Sequence, residues 1–268
     1  MIRAAVLGSP IAHSLSPALH RAAYRALGLE GEYEAIEVLA SSLAEFIATR
    51  DETWTGFSLT MPLKEEILGI ADSVDPLALQ IQSANTLIRA ESGWHALTTD
   101  VSGFQHALTA HGVTQYGDVL IIGAGATARA AAAACDEFGR HLIIINRSNK
   151  REAAMRGAIR KSKVSFISWN EELPQADLII NTTPAGVADL FVAQFTSQPQ
   201  GVFFEALYYP WPTKLLAHWR GLGADAIDGL DLLVHQGIDQ VALMSNHAVN
   251  RAELAPILRA AGLASLGG

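Results

Sequence analysis

The chain holds two groups of residues whose types and spacing suit chemistry. The first is Gly123-Ala124-Gly125-Ala126-Thr127-Ala128, which follows the apolar run Val119-Leu120-Ile121-Ile122 and opens an alanine-rich stretch. A G-x-G-x-x-A turn lets a strand fold sharply into a helix and lets the backbone approach a pyrophosphate. The helix N-terminus then offers unpaired N–H groups and the positive end of its dipole. Gly123, Gly125 and Ala126 are therefore candidates for holding a dinucleotide. A tight turn without ligand would use the same glycines, so the flanking strand and helix carry the reading. The kind of dinucleotide is decided about 20 residues further on, at the end of the next strand. There the chain reads Leu142-Ile143-Ile144-Ile145-Asn146-Arg147-Ser148, then Lys150 and Arg151, with no carboxylate before Glu152. A carboxylate would accept from a ribose 2′-OH, whereas a guanidinium forks onto a 2′-phosphate and stacks on adenine. The pattern selects NADP. Cations at a helix start oppose its dipole, so mere solvation explains them poorly.

The second group suits a small hydroxylated carboxylate. Ser14 and Ser16 lie just before a proline that can open a helix, Pro17. Two hydroxyls and a helix N-terminus bind a carboxylate without needing net positive charge. Ser16 also reads as an ordinary N-cap; Ser14 has no such role. Thr60 and Lys64 follow the run Gly56 to Leu59, at the strand end where α/β sheets bind ligands. A lysine beside a carbonyl that accepts hydride polarises the oxygen and exchanges its proton. Asp100 can hold that lysine or share the transfer. Asn85 and Gln236 are neutral donor–acceptors fitted to sugar-like hydroxyls. Taken singly, Lys64 reads as a surface lysine and Asp100 as a helix cap.

Taken together, the segments resemble the shikimate dehydrogenase family from residue 8 to residue 236, in the family's order. Gly8-Ser9-Pro10-Ile11-Ala12-His13-Ser14-Leu15-Ser16-Pro17 looks like its N-terminal signature, and Gly56-Phe57-Ser58-Leu59-Thr60-Met61-Pro62-Leu63-Lys64 its lysine motif. Ser83-Ala84-Asn85-Thr86, Thr99-Asp100-Val101-Ser102-Gly103, Asn146-Arg147-Ser148, Tyr208 with Pro210 to Thr213, Asp228-Gly229 and Gln236 match further motifs. The resemblance implies a catalytic pair, Lys64 and Asp100. It implies substrate contacts at Ser14, Ser16, Thr60, Asn85, Tyr208 and Gln236. It implies NADP contacts at Gly123, Gly125, Ala126, Asn146, Arg147, Ser148, Arg151 and Gly229. The activity implied is NADP-dependent reduction of 3-dehydroshikimate to shikimate, a step toward chorismate and the aromatic amino acids. Some positions depart from the family pattern. Ser58 stands where asparagine is usual, Thr98 opens a motif usually read Asn-Thr-Asp, Ala126 replaces a glycine, and Glu205 replaces an aspartate. Two other readings stay open: a paralogue that uses quinate or NAD, and a non-catalytic NADP-binding regulatory module. Serine at both 14 and 16 favours shikimate over quinate.

The elements that must position these residues are short apolar runs alternating with helical patterns, which imply an α/β chain with parallel sheets. Strands are expected at Ala4–Leu7, Tyr33–Val38, Gly56–Leu59, Val119–Ile122, Leu142–Ile145, Val164–Ile167, Leu178–Ile180 and Val202–Phe204. Asn85–Arg89 and Trp94–Leu97 read as a pair around Glu91-Ser92-Gly93. Helices are expected at Ala18–Leu27, Ser41–Thr49, Val101–His111, Ala126–Phe138, Gly229–Met244 and Ala252–Ala261. Boundaries fall near 101–103 and near 228. The family's fold implies two domains: a substrate-binding and catalytic α/β domain of residues 1–101, completed by C-terminal helices 230–268, and a Rossmann-like NADP domain of 102–229, with the active site in the cleft. A net charge of -8 disfavours nucleic acid and anionic membranes as partners. The histidines show no metal-binding spacing, so no metal is expected. The single cysteine, Cys135, reads as a small buried hydrophobe. The chain lacks a signal-like N-terminus and any apolar run of about 18 residues. A cytoplasmic monomer or homodimer is expected.

Overall fold

The computed structural model describes residues 1–267 and divides into two compact units, Met1–Gly103 with the segment from Leu233 onward, and Phe104–Leu232. The first unit contains β1 (Ile2–Gly8), α1 (Ser16–Leu27), β2 (Gly31–Glu37), α2 (Leu43–Ala48), β3 (Gly56–Leu59), α3 (Leu63–Glu66), β4 (Ser73–Val74), α4 (Pro76–Ile81), β5 (Thr86–Ala90) and β6 (Gly93–Leu97), and the start of α5 (Asp100–Ala110). The second contains the rest of α5 and β7 (Asp118–Ile122), α6 (Ala126–Ala134), β8 (His141–Asn146), α7 (Glu152–Ala158), β9 (Lys163–Ser168), β10 (Leu178–Asn181), β11 (Val202–Glu205), α8 (Lys214–Gly221) and β12 (Ala226–Ile227). From α9 (Gly229–Ser245) the chain returns to the first unit and ends in α10 (Arg251–Leu266).

The first sheet has the order β2-β1-β3-β5-β6-β4. It is mixed, with the parallel core strands expected from the alternation joined by the strand pair expected around Gly93. β5 runs antiparallel to both β3 and β6; it joins β6 directly, with no helix between them. The chain turns back at Gly93, whose φ is +116 and where an added Cβ would lie 2.1 Å from the Asp72 carboxylate. The aromatic core beneath this sheet joins Phe57, Trp54 and Trp94, with the Phe57 ring 4.9 Å from Trp54 and 5.3 Å from Trp94. α1 opens with Pro17 in its first turn and closes on Gly28 at φ 66, the left-handed position glycine tolerates best. Its buried Leu19, Ala22 and Ala23 face inward, and it packs on α10.

The second sheet, β12-β11-β10-β7-β8-β9, is parallel throughout. Its central strands are continuous apolar runs, as a sheet covered on both faces requires. Ala128, Ala130, Ala131 and Ala132 of α6 are fully buried; such small side chains let the helix lie close to its neighbours. That helix ends at Ala134, with Cys135 as its C-cap, and not at Phe138. The Asp136 carboxylate accepts from the main-chain N–H groups of Arg160, Lys161 and Ser162 at 2.6, 2.9 and 2.8 Å. The segment is thereby tied to another turn, and Phe138 is left exposed. Cys135 is buried, and burial pushes its thiol up to about 11, so it remains an unreactive protonated thiol.

Candidate active site

β3 leaves the sheet beside β1: the Thr60 N–H donates to the Leu7 oxygen at 2.9 Å, and the Ser9 N–H donates to Met61 at 3.0 Å. The one-turn helix α3 then carries Lys64. Its Nζ donates to Asp100 Oδ2 at 2.6 Å, with the two side chains 16% and 6% accessible. The other Asp100 oxygen accepts from Asn85 Nδ2 at 2.8 Å. Asn85 is itself pinned, because the Thr99 N–H donates to its Oδ1 at 2.7 Å. Asn85 Nδ2 also reaches Gln236 Oε1 of α9 at 3.0 Å. Lys64, Asp100, Asn85 and Gln236 thus converge from α3, the start of α5, the edge of β5 and α9. A charge buried this far is tolerated because it is paired and hydrogen-bonded. Asp100 accounts for one of the three ammonium protons, so Lys64 can also serve a ligand oxygen.

The N-cap of α1 is Leu15, so Ser16 does not play the capping role that its place before Pro17 suggests. Ser16 is the first residue of α1 and makes no side-chain cap bond. Its main-chain N–H instead donates to Ser14 Oγ at 3.3 Å. Ser14 is half-buried at the helix mouth and Ser16 is buried. Thr60 lies against the same loop: a Cβ on Gly8 would meet the Thr60 methyl at 2.4 Å.

Tyr208 belongs to the second unit and is half-buried in the segment between β11 and α8. That segment is strapped by Glu205, fully buried at the end of β11. Both Glu205 oxygens accept from Asn181 Nδ2 at 3.0 Å, and Thr213 Oγ1 and the Leu207 N–H donate at 2.7 and 3.2 Å. Burial raises the pKa of this carboxyl, against the pull of those donors. Gly229 stands where any side chain would strike the Leu207 backbone at 2.4 Å, so it is required for packing against the same segment.

The glycine turn fits a dinucleotide. Gly123 has φ +114, and an added Cβ would lie 2.6 Å from Thr182 Oγ1. Gly125 caps α6 in extended conformation, and its hypothetical Cβ would lie 3.2 Å from an Arg151 guanidinium nitrogen. The bare backbone, the helix mouth and a guanidinium therefore share one place, as a phosphate-bearing ligand requires. Arg147, Ser148, Lys150 and Arg151 are exposed, while Asn146 is half-buried and its Nδ2 donates to Glu152 at 3.4 Å.

Sequence reasoning missed several residues around the Lys64–Asp100 pair. Ser102 donates to Asp239 Oδ2 at 2.6 Å, and Arg251 at the start of α10 donates to both Asp239 and the His235 oxygen. Gln240 lies below Asn85. Asp239 and Gln240 follow Gln236 by three and four residues on α9, the helical spacing that could have signalled a shared face. Among the described residues no group of three His, Cys, Asp or Glu side chains is placed to hold a metal, and no helix is long and apolar enough to cross a membrane.

Comparison with known proteins adds independent findings. A family model described as shikimate dehydrogenase substrate binding domain matches residues 6–87, and one described as shikimate / quinate 5-dehydrogenase matches 105–194. The NADP(+)-dependent shikimate dehydrogenase of Thermus thermophilus is 35% identical over 240 residues, 88% of this chain and 90% of that protein. The crystal structure of Mycobacterium tuberculosis shikimate dehydrogenase superposes with a TM-score of 0.87 at 34% identity, over 97% of this chain and 100% of that one. The Thermus thermophilus enzyme in complex with NADP(H) and shikimate gives 0.82 at 32% identity, over 97% and 100% of the two chains. On its own residues and on these likenesses, the chain belongs to the shikimate dehydrogenase family.

Proposed function

We propose that the chain is an NADP-dependent shikimate dehydrogenase, interconverting 3-dehydroshikimate and shikimate. The observation that carries this reading is the 2.6 Å contact between Lys64 and Asp100, held beside Asn85 and Gln236. NADP, when bound, supplies the hydride exchange. Lys64 donates a proton to the C3 oxygen as the ketone becomes an alcohol, and takes it back in the reverse direction. Asp100 keeps the ammonium aimed at that oxygen. Asn85, Gln236, Thr60 and Tyr208 hold the ring hydroxyls. Ser14, Ser16 and the N-terminus of α1 hold the carboxylate. Gly123, Gly125 and Ala126 take the pyrophosphate. Asn146, Arg147, Ser148 and Arg151 take the adenosine 2′-phosphate, and Gly229 makes a further NADP contact. In this assignment residues 1–101 with 230–268 bind substrate and 102–229 bind NADP. We place the enzyme in the cytoplasm, as a monomer or homodimer without a nucleic-acid partner, on its net charge of -8 and its buried thiol.

The test is absorbance at the reduced-nicotinamide band, with shikimate or quinate against NADP or NAD. Shikimate with NADP is expected to be fastest. Lys64→Ala is expected to lose about a hundredfold or more in turnover, the scale of a general acid–base group, while still binding NADPH. Undiminished turnover in that variant would remove Lys64 from the mechanism.

A further inference from the structure

Ser58 occupies the position where the family usually has asparagine, and a line of buried hydrogen bonds passes through it. The direction of that line is forced. Gln240 Nε2 lies 3.1 Å from the main-chain oxygen of Asn85. A carbonyl only accepts, so the amide nitrogen faces Asn85 and the amide oxygen faces Ser58. Ser58 gives its one proton to Gln240 Oε1 at 2.7 Å. It therefore accepts from Tyr33, whose hydroxyl donates at 2.6 Å. In the other direction, Gln240 Nε2 donates to Thr86 Oγ1 at 3.0 Å, and Thr86 donates to Asn85 Oδ1 at 2.9 Å. The Thr99 N–H also donates to that oxygen, which leaves Asn85 Nδ2 to donate to Asp100 Oδ1 at 2.8 Å. Two main-chain groups thus orient every donor from Tyr33 to Asp100.

Tyr33, Ser58, Gln240, Thr86 and Asn85 are all buried. Aligned hydrogen bonds in a low-dielectric interior polarise one another. His20 reinforces the line. It stacks on Tyr33 with ring centroids 3.8 Å apart, and its Nε2 lies 3.4 Å from Gln240 Oε1. Burial lowers its pKa to about 3, so the ring is neutral at working pH and meets Gln240 as an N–H donor. The geometry points to Tyr33, Ser58 and Gln240 as positioning residues for the Lys64–Asp100 pair. None of the three touches the pair, and each acts by fixing the Asn85 amide that holds Asp100 Oδ1. Ser58 is turned into this line, so its hydroxyl serves the fold of the site and not a substrate oxygen. This inference deepens the dehydrogenase reading, and its kinetic consequence rests on that reading.

The experiment uses the full chain with Tyr33→Phe, Ser58→Ala, Ser58→Thr and, as control, Tyr24→Phe. Tyr24 is a matched tyrosine of the same unit, with a buried hydroxyl that has no partner. Tyr33→Phe and Ser58→Ala are expected to lower kcat for shikimate about tenfold, the effect of one buried hydrogen bond. The KM for NADP should stay within about twofold of the parent, since the change acts on a step after cofactor binding. Ser58→Thr restores the hydroxyl and should restore kcat, and Tyr24→Phe should match the parent. In a second measurement, the Asn85 side-chain amide signals are followed by 1H–15N spectroscopy and assigned by their loss in Asn85→Ser. They should shift in Tyr33→Phe and Ser58→Ala and stay put in Tyr24→Phe. Lowered melting temperatures with unchanged kcat, or amide signals that do not move, would overturn the inference. If the parent turns over neither shikimate nor quinate, the dehydrogenase reading fails, and the amide signals still decide the line.

Discussion

Arg151 ends a short turn, Asn149–Arg151, just before α7, and its side chain reaches over the glycine turn to Gly125. An exposed guanidinium held there has no acidic partner among the described residues to explain it, but a 2′-phosphate would. Arg151→Ala should weaken NADPH binding by about tenfold to a hundredfold, the range for one charge-assisted hydrogen-bonded contact, and leave NADH binding unchanged. Fluorescence titration of the two cofactors measures this, and an equal loss for both would assign Arg151 to the pyrophosphate instead. Single residues were legible in the sequence only in company. Taken alone, Lys64 reads as a surface lysine and Asp100 as a helix cap; the motifs around them single them out, and the fold puts them 2.6 Å apart. Residues that act through others were not legible. Ser16 read as the helix cap because serine before proline usually is one, yet Ser14 supplies the accepting oxygen. Gln240 and Ser58 are ordinary polar residues until the fold sets them 2.7 Å apart.

Among the elements, strands announced themselves wherever both faces are covered, as in Val119–Ile122 and Leu142–Ile145, because burial on both sides demands an uninterrupted apolar run. Two-residue strands such as β4 and β12 are too short to show a period, and the sheet partner alone defines them. The end of α6 was hidden because alanine runs favour helix without marking where it stops; Asp136 stops it through bonds to residues 160 to 162. The turn before α6 separates two effects of glycine. Gly123→Ala must force a Cβ into a positive-φ position and against Thr182 Oγ1. That hydroxyl cannot move freely, since it donates to the Ile122 oxygen at 2.9 Å. A loss of about 1–3 kcal/mol in stability is expected. Gly125→Ala adds a methyl at φ -82, facing only the far end of the Arg151 side chain, so the protein should melt within about 1 °C of the parent. Its NADPH affinity should nevertheless fall about tenfold or more, because the methyl stands where the pyrophosphate must approach the backbone. Gly125→Ala protein that binds NADPH normally would place the cofactor elsewhere.

For the molecule as a whole, the buried polar network of the first unit sets a pH limit on stability through His20. The ring is 1% exposed, its Nδ1 is buried without a hydrogen-bond partner, and burial lowers its pKa from 6.5 to about 3, with the Gln240 contact opposing the shift. A histidine whose folded pKa is depressed binds its proton more readily when unfolded. Its contribution is therefore fully present above pH 6.5 and is lost as the pH falls from there toward 3. Between pH 7 and pH 5 the unfolded chain gains about three quarters of a proton and the folded chain gains almost none, which removes about 2 kcal/mol of stability. His20→Phe keeps a flat ring against Tyr33 and cannot titrate. Urea unfolding of parent and variant at the two pH values should show the parent losing about 2 kcal/mol more than the variant on acidification. The difference should vanish between pH 7.5 and pH 9, where neither state binds the proton. A variant that loses as much stability as the parent between pH 7 and pH 5 would mean that this ring is protonated in the folded protein, and that the hydrogen-bonded line beside it tolerates a buried charge.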